Sequence, residues 1–528
     1  MRRNASLDGP ADSAGGGVSQ EGLSEPISLQ NLGRRALEGT IWLVAERLYR
    51  QGVFLMRALV LGRLLSPSDF GTAGLGELSI YFLGVLTYIG FESALVQRRD
   101  LQSVTLHTAW WTGLGRSGII AAILWFLAPS LAGLFRAPEA TAVIRALALI
   151  TFLSAFNSMG IILLRKELKY KKLFAWEALG LTLDLLVAIW AALIWRSVWA
   201  LVLGTLAGTL VRMAASYRFH PYKPKLVFEI KAARELFDFG KWLLLSAIMT
   251  FIILKGTDVL SGFWFGAAAL GLYQMAARFA LLPSSHIGET LLAVMFPAYS
   301  LIQDNPPRLA AAYIKVLQVT ALLVFPLAAL LAVAVGPMLP LILGPKWQGV
   351  VPLVPWIVLG GAMQALLRTG SPVFLATGRP DCQFAMDLAS SLGILALVYP
   401  LTHFFGLAGL AGAYAMGISL GFPCWWFFVR EGLKIRSHDI LLAVIPPGLG
   451  SLLLVATVWV GRILLFRPDT WPIPGGLLSL SAVGSGLYLV FILWAERHAV
   501  GYQPINASLN LLRSTWVKIK SEDDSDDS

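Results

Sequence analysis

Charged side chains are scarce. They make up 14% of the 528 residues, against about 25% in soluble globular proteins. With 56% hydrophobic residues and a mean hydropathy of +0.69, an ordinary water-soluble domain is excluded. Cysteine is nearly absent. Cys382 and Cys424 lie far apart in sequence, near predicted cytoplasmic ends of spans. That excludes a disulfide framework, and two thiols are too few for a zinc site, so no metal site is expected. The phosphate-binding pattern G-x-x-x-x-G-K is missing, so the chain is not expected to hydrolyse nucleotide itself. Residues 1–30 are rich in Gly, Ser, Asp and Glu and contain no apolar core segment. They read as a disordered cytoplasmic tail rather than a cleavable signal peptide. The net charge of +11 does not point to nucleic acid, because the basic residues fall in short loops between apolar runs.

Long apolar runs are what the chain does have. Fourteen spans are expected near 40–62, 73–96, 109–134, 141–164, 174–194, 198–218, 240–263, 267–297, 311–335, 350–375, 384–404, 408–429, 439–461 and 475–495. Most hold about twenty apolar residues, enough to cross ~30 Å of hydrocarbon. The fold class is therefore all-α and polytopic. With the N-terminus inside, the cytoplasmic loops hold about eighteen Lys and Arg, including Arg98, Arg99, Arg165, Lys166, Lys169, Lys171 and Lys172. The opposite loops hold about six: Arg63, Arg136, Arg196, Lys346, Arg462 and Arg467. Both termini are expected in the cytoplasm, and no loop is long enough for a soluble domain. Ile505–Lys520 alternates apolar and basic residues, as an interfacial amphipathic helix or a loosely ordered tail would. The acidic SEDDSDDS at Ser521–Ser528 is a solvated end.

The first span carries Arg47, Arg50 and Arg57 within a sector of roughly 80° at 100° per residue. A charge at bilayer depth costs at least ~2.5–3.5 kcal/mol, so such residues normally face a bundle interior or a watery cavity. A positive stripe there points to an anionic ligand. Two plainer readings stand beside it: Glu46 is four residues before Arg50 and can pair with it, and Arg47 can snorkel to the interface. Deeper charges include Lys255 and Asp258, one turn apart and able to pair, and Arg278. Glu77, Glu92, Arg116, His286, Glu289 and Arg368 also fall in spans. Glu177, Asp387 and Arg212 fall near span ends and read as interfacial; Asp184 completes the set.

The chain repeats itself at an offset of about 200–210 residues. FAWE (Phe174–Glu177) matches FAMD (Phe384–Asp387). SDFGTAGLGEL (Ser68–Leu78) parallels AALGLYQMAAR (Ala268–Arg278), and WALVLG (Trp199–Gly204) parallels GLAGAY (Gly409–Tyr414). Two homologous six-helix lobes are expected, over 32–234 and 235–436. An extra transmembrane pair follows over 437–497, with tails over 1–31 and 498–528. An even number of spans per repeat gives both lobes the same orientation, and paired lobes around a central cavity suit alternating access. Arg57 then falls opposite Lys255, so positive charge is expected to face the cavity from both sides. Proline and glycine punctuate several spans, with prolines at Pro283, Pro297, Pro326, Pro337, Pro340, Pro352, Pro355 and Pro372; such breaks are expected where backbone lines a cavity and would allow bending between inward-open and outward-open states. Two patterns are set aside. GLGRSG (Gly113–Gly118) lies within a span and follows no strand, so close helix packing is expected there. GISLG (Gly417–Gly421) lacks the α/β context of a nucleophile elbow.

Several segments, in order, resemble the polysaccharide flippases of the multidrug/oligosaccharidyl-lipid/polysaccharide exporter superfamily, in the lipopolysaccharide and exopolysaccharide branch. They include LGRLLSPSDFG (Leu61–Gly71), GFESALVQRRDL (Gly90–Leu101), LRKELKYKKLFAWE (Leu164–Glu177) and VWALVLG (Val198–Gly204). PYKPKLVF (Pro221–Phe228), ALGLYQMAARFALLP (Ala269–Pro283), FPAYSLIQ (Phe296–Gln303) and LILGPKW (Leu341–Trp347) follow. The resemblance covers roughly residues 32–430. It departs from the branch at Tyr88, often acidic there, and at Thr257, often Asn before the acidic residue. It implies two lobes around a cavity and translocation of a polyprenyl-pyrophosphate-linked oligosaccharide from the cytoplasmic to the periplasmic leaflet of a bacterial inner membrane. The partners implied are that lipid-linked substrate, membrane lipids, and polysaccharide polymerase and glycosyltransferases. A pyrophosphate is a dense anion suited to arginine. Arg57, Arg50 and Lys255 are the first candidates to attract it, with Arg47 on the same stripe and Arg278 ranked lower. Asp258 or Glu77 is the candidate carrier for proton or sodium coupling; no catalytic residue or other cofactor is expected. The rivals are a peptidoglycan-precursor flippase, a cation-coupled multidrug exporter and, from another class, a membrane-embedded polysaccharide polymerase or ligase. A drug exporter would favour an acidic cavity, and a polymerase or ligase would need an extended outer loop that is absent here.

Overall fold

The computed structural model describes residues 29–87, 103–167, 169–222, 224–225, 229–282, 284, 295–465 and 474–498. Among the described residues there is no β-strand. The helices are α1 (Leu29–Leu64), α2 (Pro67–Leu86), α3 (Ser103–Leu134), α4 (Ala140–Ser154), α5 (Gly160–Lys166), α6 (Tyr170–Trp195), α7 (Trp199–Phe219) and α8 (Ile230–Ala280). They continue with α9 (Pro306–Leu343), α10 (Val354–Arg368), α11 (Gly370–Ala376), α12 (Pro380–Ser419), α13 (Phe422–Leu433), α14 (Ser437–Leu465) and α15 (Pro474–His498). A 3-10 turn spans Pro345–Val350. Eight helical stretches among the described residues are long and apolar enough to cross a membrane.

The order of elements recurs along the chain. α4 and α5, of 15 and 7 residues, are answered by α10 and α11, of 15 and 7 residues. The expected boundary between the seventh and eighth spans falls inside α8, where Gly266 turns the chain at φ 82°. The boundary between the eleventh and twelfth falls inside α12, at Gly406 with φ 58°. An added Cβ would meet nothing within 4 Å at either glycine. The requirement is conformational, since only glycine adopts positive φ without a steric penalty. Pro326, Pro337 and Pro340 lie within the continuous helix α9. Pro355 and Pro372 lie in the first turns of α10 and α11, where the missing N–H costs nothing. Glycine makes these two turns, Pro352 lies in the turn before α10, and the expectation of a break is corrected at Pro326, Pro337 and Pro340. Pro283 lies outside the described residues.

The start of α2 shows why LLSPSDFG begins a helix. Ser66 caps it: its Oγ accepts from Asp69 N at 3.2 Å, while the Asp69 carboxylate accepts from Ser66 N at 2.9 Å. Pro67 supplies the φ of the first turn.

The interior is small and apolar, and the outside is apolar too. Phe126, Leu193, Phe404, Leu452 and Trp494 are exposed. An exposed apolar belt is costly in water but stable against lipid tails. One core cluster joins α1, α9, α10 and α12 around Leu61, Leu343, Trp347 and Tyr313. A second joins Leu75 and Leu78 of α2 to Leu124, Ile144 and Leu270, so it already ties α8 to the first half. α14 and α15 pack on α9 through Ala329, Leu454 and Tyr488, whose hydroxyl donates to the Leu322 carbonyl at 2.9 Å. Of the two chance patterns, a Cβ added at Gly113 or Gly115 would meet nothing within 4 Å among the described residues, and one at Gly118 would lie 3.4 Å from the Phe152 ring. Among the described residues, close packing is therefore seen in that motif at Gly118 alone. Gly417 does pack closely, against Ile394 of the same α12 hairpin. Cys382 is buried, Cys424 is half-buried, and neither is in a disulfide.

Candidate functional site, a charged cavity between two halves

α2 and α8 cross where glycines let backbones touch. A Cβ on Gly71 would lie 1.6 Å from the Ala267 carbonyl oxygen, and one on Gly271 would lie 1.9 Å from that of Pro67. Gly71 and Gly271 correspond in the repeat, as do Pro67 and Ala267, so the two contacts are reciprocal. Beside them, the Trp347 indole N–H donates to the Gly62 carbonyl at 2.8 Å and its ring meets Phe70 edge-on at 5.5 Å. Lys346 donates to the Arg63 carbonyl at 2.9 Å, and Arg63 donates to that of Ile342 at 2.9 Å. These contacts join the end of α1 and the start of α2 to the second half, and seal the two halves together at this end.

Further along α2 and α8 lies a cavity of about 310 Å³, lined by Phe54, Glu77, Lys255, Asp258, Arg278 and Tyr414 among others. Lys255 Nζ donates to Asp258 Oδ2 at 3.1 Å, and Gln274 Nε2 donates to the same oxygen at 3.3 Å. The Tyr273 hydroxyl donates to Thr257 at 3.0 Å. Arg278 is different. Its guanidinium carbon sits 4.9 Å from the Phe54 ring centre and 5.8 Å from that of Phe70. It forms no ion pair among the described residues. Glu77 is exposed to the same cavity and is likewise unpaired among the described residues. The cavity therefore presents one guanidinium held by aromatic faces and one carboxylate, next to an internally neutralised Lys255–Asp258 pair.

The arginine stripe is dispersed. Arg57, placed first by the sequence, does not line the cavity. It donates to Asp184 Oδ2 at 3.0 Å, to the Leu201 carbonyl at 3.3 Å and to Thr205 at 3.3 Å. The expectation that Arg57 and Lys255 face the cavity from both sides is corrected: α6 and α7 pack on the Arg57 face of α1 and supply its acceptors. Arg50 pairs with Glu46, the plainer reading of the sequence, and with Glu177 at 3.7 Å. Arg47 is half-buried and makes no ion pair among the described residues. Of the candidates, the cavity brings together Lys255, Arg278, Asp258 and Glu77. Asp184 was missed as a partner of Arg57; a carboxylate in mid-span was the available signal. Tyr88, Glu92, His286 and Glu289 lie outside the described residues.

Comparison with known proteins decides the family. Residues 60–352 match the profile of a family described as polysaccharide biosynthesis protein. The chain belongs to that family. It is 24% identical over 468 residues to the succinoglycan biosynthesis transport protein ExoT of Rhizobium meliloti (strain 1021), covering 86% of this chain and 92% of that protein. It is 22% identical over 423 residues to the lipopolysaccharide biosynthesis protein WzxC of Escherichia coli (strain K12), covering 80% and 83%. Among solved structures, the lipid II flippase MurJ in an inward closed conformation superposes with a TM-score of 0.67. The match has 15% sequence identity and covers 87% of this chain and 99% of that one. That likeness establishes the fold: an all-α, multi-pass membrane bundle like that of MurJ.

Proposed function

We propose that this protein carries a polyprenyl-pyrophosphate-linked oligosaccharide across the membrane by alternating access, as a step in surface polysaccharide synthesis. The observation that carries the reading is Arg278, a guanidinium that makes no ion pair among the described residues and is braced by Phe54 and Phe70 in the cavity between the halves. A guanidinium held by ring faces, with the Glu77 carboxylate acting on it from a distance, is a ready site for a phosphoryl oxygen. Lys255 reinforces it when it turns away from Asp258. Phe54, exposed beside Arg278, offers an aromatic surface to sugar rings, whereas Tyr273 and Tyr414 are buried in the cavity wall. The names of the two relatives, a transport protein and a biosynthesis protein for bacterial polysaccharides, support the substrate class.

Binding and release of the head group are the whole task, so the protein acts without covalent chemistry. The excess of basic residues in alternate loops supports cytoplasmic termini and an inner-membrane location. The substrate would be drawn from glycosyltransferases on the cytoplasmic face and passed to a polysaccharide polymerase on the other. Glu77, exposed in the cavity and without an ion pair among the described residues, is the better placed of the two acidic residues to carry a coupling cation, because Asp258 already holds Lys255 and Gln274. A mobile head group needs anchoring in the cavity rather than at α1. In proteoliposomes loaded with a lipid-linked oligosaccharide, Arg278→Gln is expected to slow leaflet exchange at least about tenfold, the loss of one charge-assisted contact. Wild-type exchange rates in correctly inserted Arg278→Gln would refute the reading.

A further inference from the structure

Asp184 is held in an unusual way. It lies on α6, and its side chain is 9% exposed. α7 crosses it on glycines. A Cβ on Gly204 would lie 2.6 Å from Asp184 Oδ1, and one on Gly208 would lie 2.9 Å from Asp184 Cβ. Oδ2 accepts from Arg57 at 3.0 Å, while Oδ1 has no hydrogen-bond partner. Arg57 Nε is also buried without one. The other charges facing Asp184 are Arg212 of α7 and Glu77 of α2. The Arg212 side chain packs on Gly180, one helical turn from Asp184. Among the described residues, Arg57 is therefore the one cation in hydrogen-bonding contact with this carboxylate. A buried carboxylate that loses its only cation contact is costly, and the cheapest relief is a proton.

Arg57 also has another possible destination. It sits one turn after Phe54, whose ring lines the cavity, and lies within electrostatic range of Arg278. An anion held by Arg278 would attract the second guanidinium, which already acts electrostatically on the first. Arg57 cannot serve Asp184 and the anion equally.

We propose that Asp184 is a proton site governed by Arg57: a phosphoryl anion entering the cavity draws Arg57 from Asp184, and the carboxylate takes up one proton from solution. This rests on the anion-binding reading of the cavity and deepens it. Anion loading and proton loading become one event, and release of the anion returns Arg57 to Asp184 and expels the proton. The change is the conversion of a carboxylate to a carboxylic acid, with no other bond made or broken. The Lys255–Asp258 pair does not share this logic. Asp258 retains Gln274 as a donor on its own helix when Lys255 moves, so its carboxylate is never stripped of partners.

The test uses the full chain in detergent with inorganic pyrophosphate as the probe, read by infrared difference spectroscopy and by binding across pH. Addition of pyrophosphate to the wild type is expected to raise a protonated-carboxyl band. The band is expected to be absent in Asp184→Asn. Pyrophosphate affinity in Asp184→Asn is expected to depend less steeply on pH than in the wild type, by up to tenfold per pH unit, with the ligand's own ionisation common to both. A second variant guards against failed folding: Arg57→Gln is expected to show the protonated band before any pyrophosphate is added. If pyrophosphate binds the wild type but the band is missing, or persists in Asp184→Asn, or if Arg57→Gln lacks it, the proton site is overturned while the anion cavity stands. If pyrophosphate does not bind the wild type, the anion-binding reading itself falls.

Discussion

Adding one methyl group at the crossing of α2 and α8 is expected to unseal this end of the cavity. Alanine at position 71 must move its Cβ from 1.6 Å to at least 3.0 Å from the Ala267 carbonyl oxygen. Alanine at 271 must move from 1.9 Å to the same limit against Pro67. In both cases the obstacle is backbone, which has no rotamer to escape into, so the helices themselves must part. Overpacking of this kind costs about 1–3 kcal/mol, and the backbone clash argues for the upper end. A cost of about 3 kcal/mol shifts a two-state ratio by roughly 100-fold. Spin labels at Ser68→Cys and Ala268→Cys, both exposed near the crossing, would read the change as pulsed electron–electron distances after Cys382 and Cys424 are replaced. The short-distance population is expected to collapse in Gly71→Ala and in Gly271→Ala, and flipping to slow with it. Gly115→Ala is the control, because nothing lies within 4 Å of its added carbon. If both crossing variants keep the wild-type distance distribution and rate, the crossing is not a seal and the reasoning fails.

Two further outcomes are expected. Trp347→Phe removes the indole donor from the Gly62 carbonyl while keeping the aromatic contact to Phe70. It should weaken the seal by about 1–2 kcal/mol, visible as faster labelling of a cysteine placed at Gln274; unchanged labelling would count against that bond. His220 caps the end of α7, and its Nδ1 accepts from Tyr222 N at 3.0 Å. Burial lowers its pKa below the ordinary 6.5. The folded state thus prefers the neutral ring, and that stability is complete above about pH 6.5 and lost as pH falls through the lower folded value. Thermal unfolding in detergent should show this acid-side loss, and His220→Gln should reduce it; an identical pH profile in the variant would refute the assignment.

Much of the fold was legible because membrane insertion writes itself in composition and length. The fourteen expected spans all overlap helix within the described residues, since twenty apolar residues have few alternatives to helix in lipid. The break between the seventh and eighth spans was placed within a few residues of Gly266, and that between the eleventh and twelfth at Gly406. The weak parallel between SDFGTAGLGEL and AALGLYQMAAR proved informative in detail: the matched glycines at 71 and 271 make reciprocal contacts at the crossing. The expected breaks are missing at Pro326, Pro337 and Pro340, because proline in a long helix is accommodated by local adjustment, whereas the reversals at Gly266 and Gly406 use positive φ.

The site was less legible. Helical periodicity fixes the direction in which a side chain leaves its own helix, and it correctly put Arg50 beside Glu46 and Lys255 beside Asp258, within one turn. It says nothing about which other helix meets that face. Arg57 met α6 and α7, where small residues at Gly204 and Gly208 let Asp184 sit deep, 127 residues away in sequence. Arg278, ranked lower from sequence, met the rings of Phe54 and Phe70 and no ion-pair partner among the described residues, and so kept its charge for the cavity. The sequence alone determined that this chain lives in a membrane as a repeated helical bundle with basic groups inside it, because hydropathy, loop charge and repetition are properties of residues in order. Which of those basic groups is neutralised and which faces the cavity was decided only by tertiary packing, because a charge in low dielectric is governed by the nearest acceptor, and that acceptor came from a distant helix.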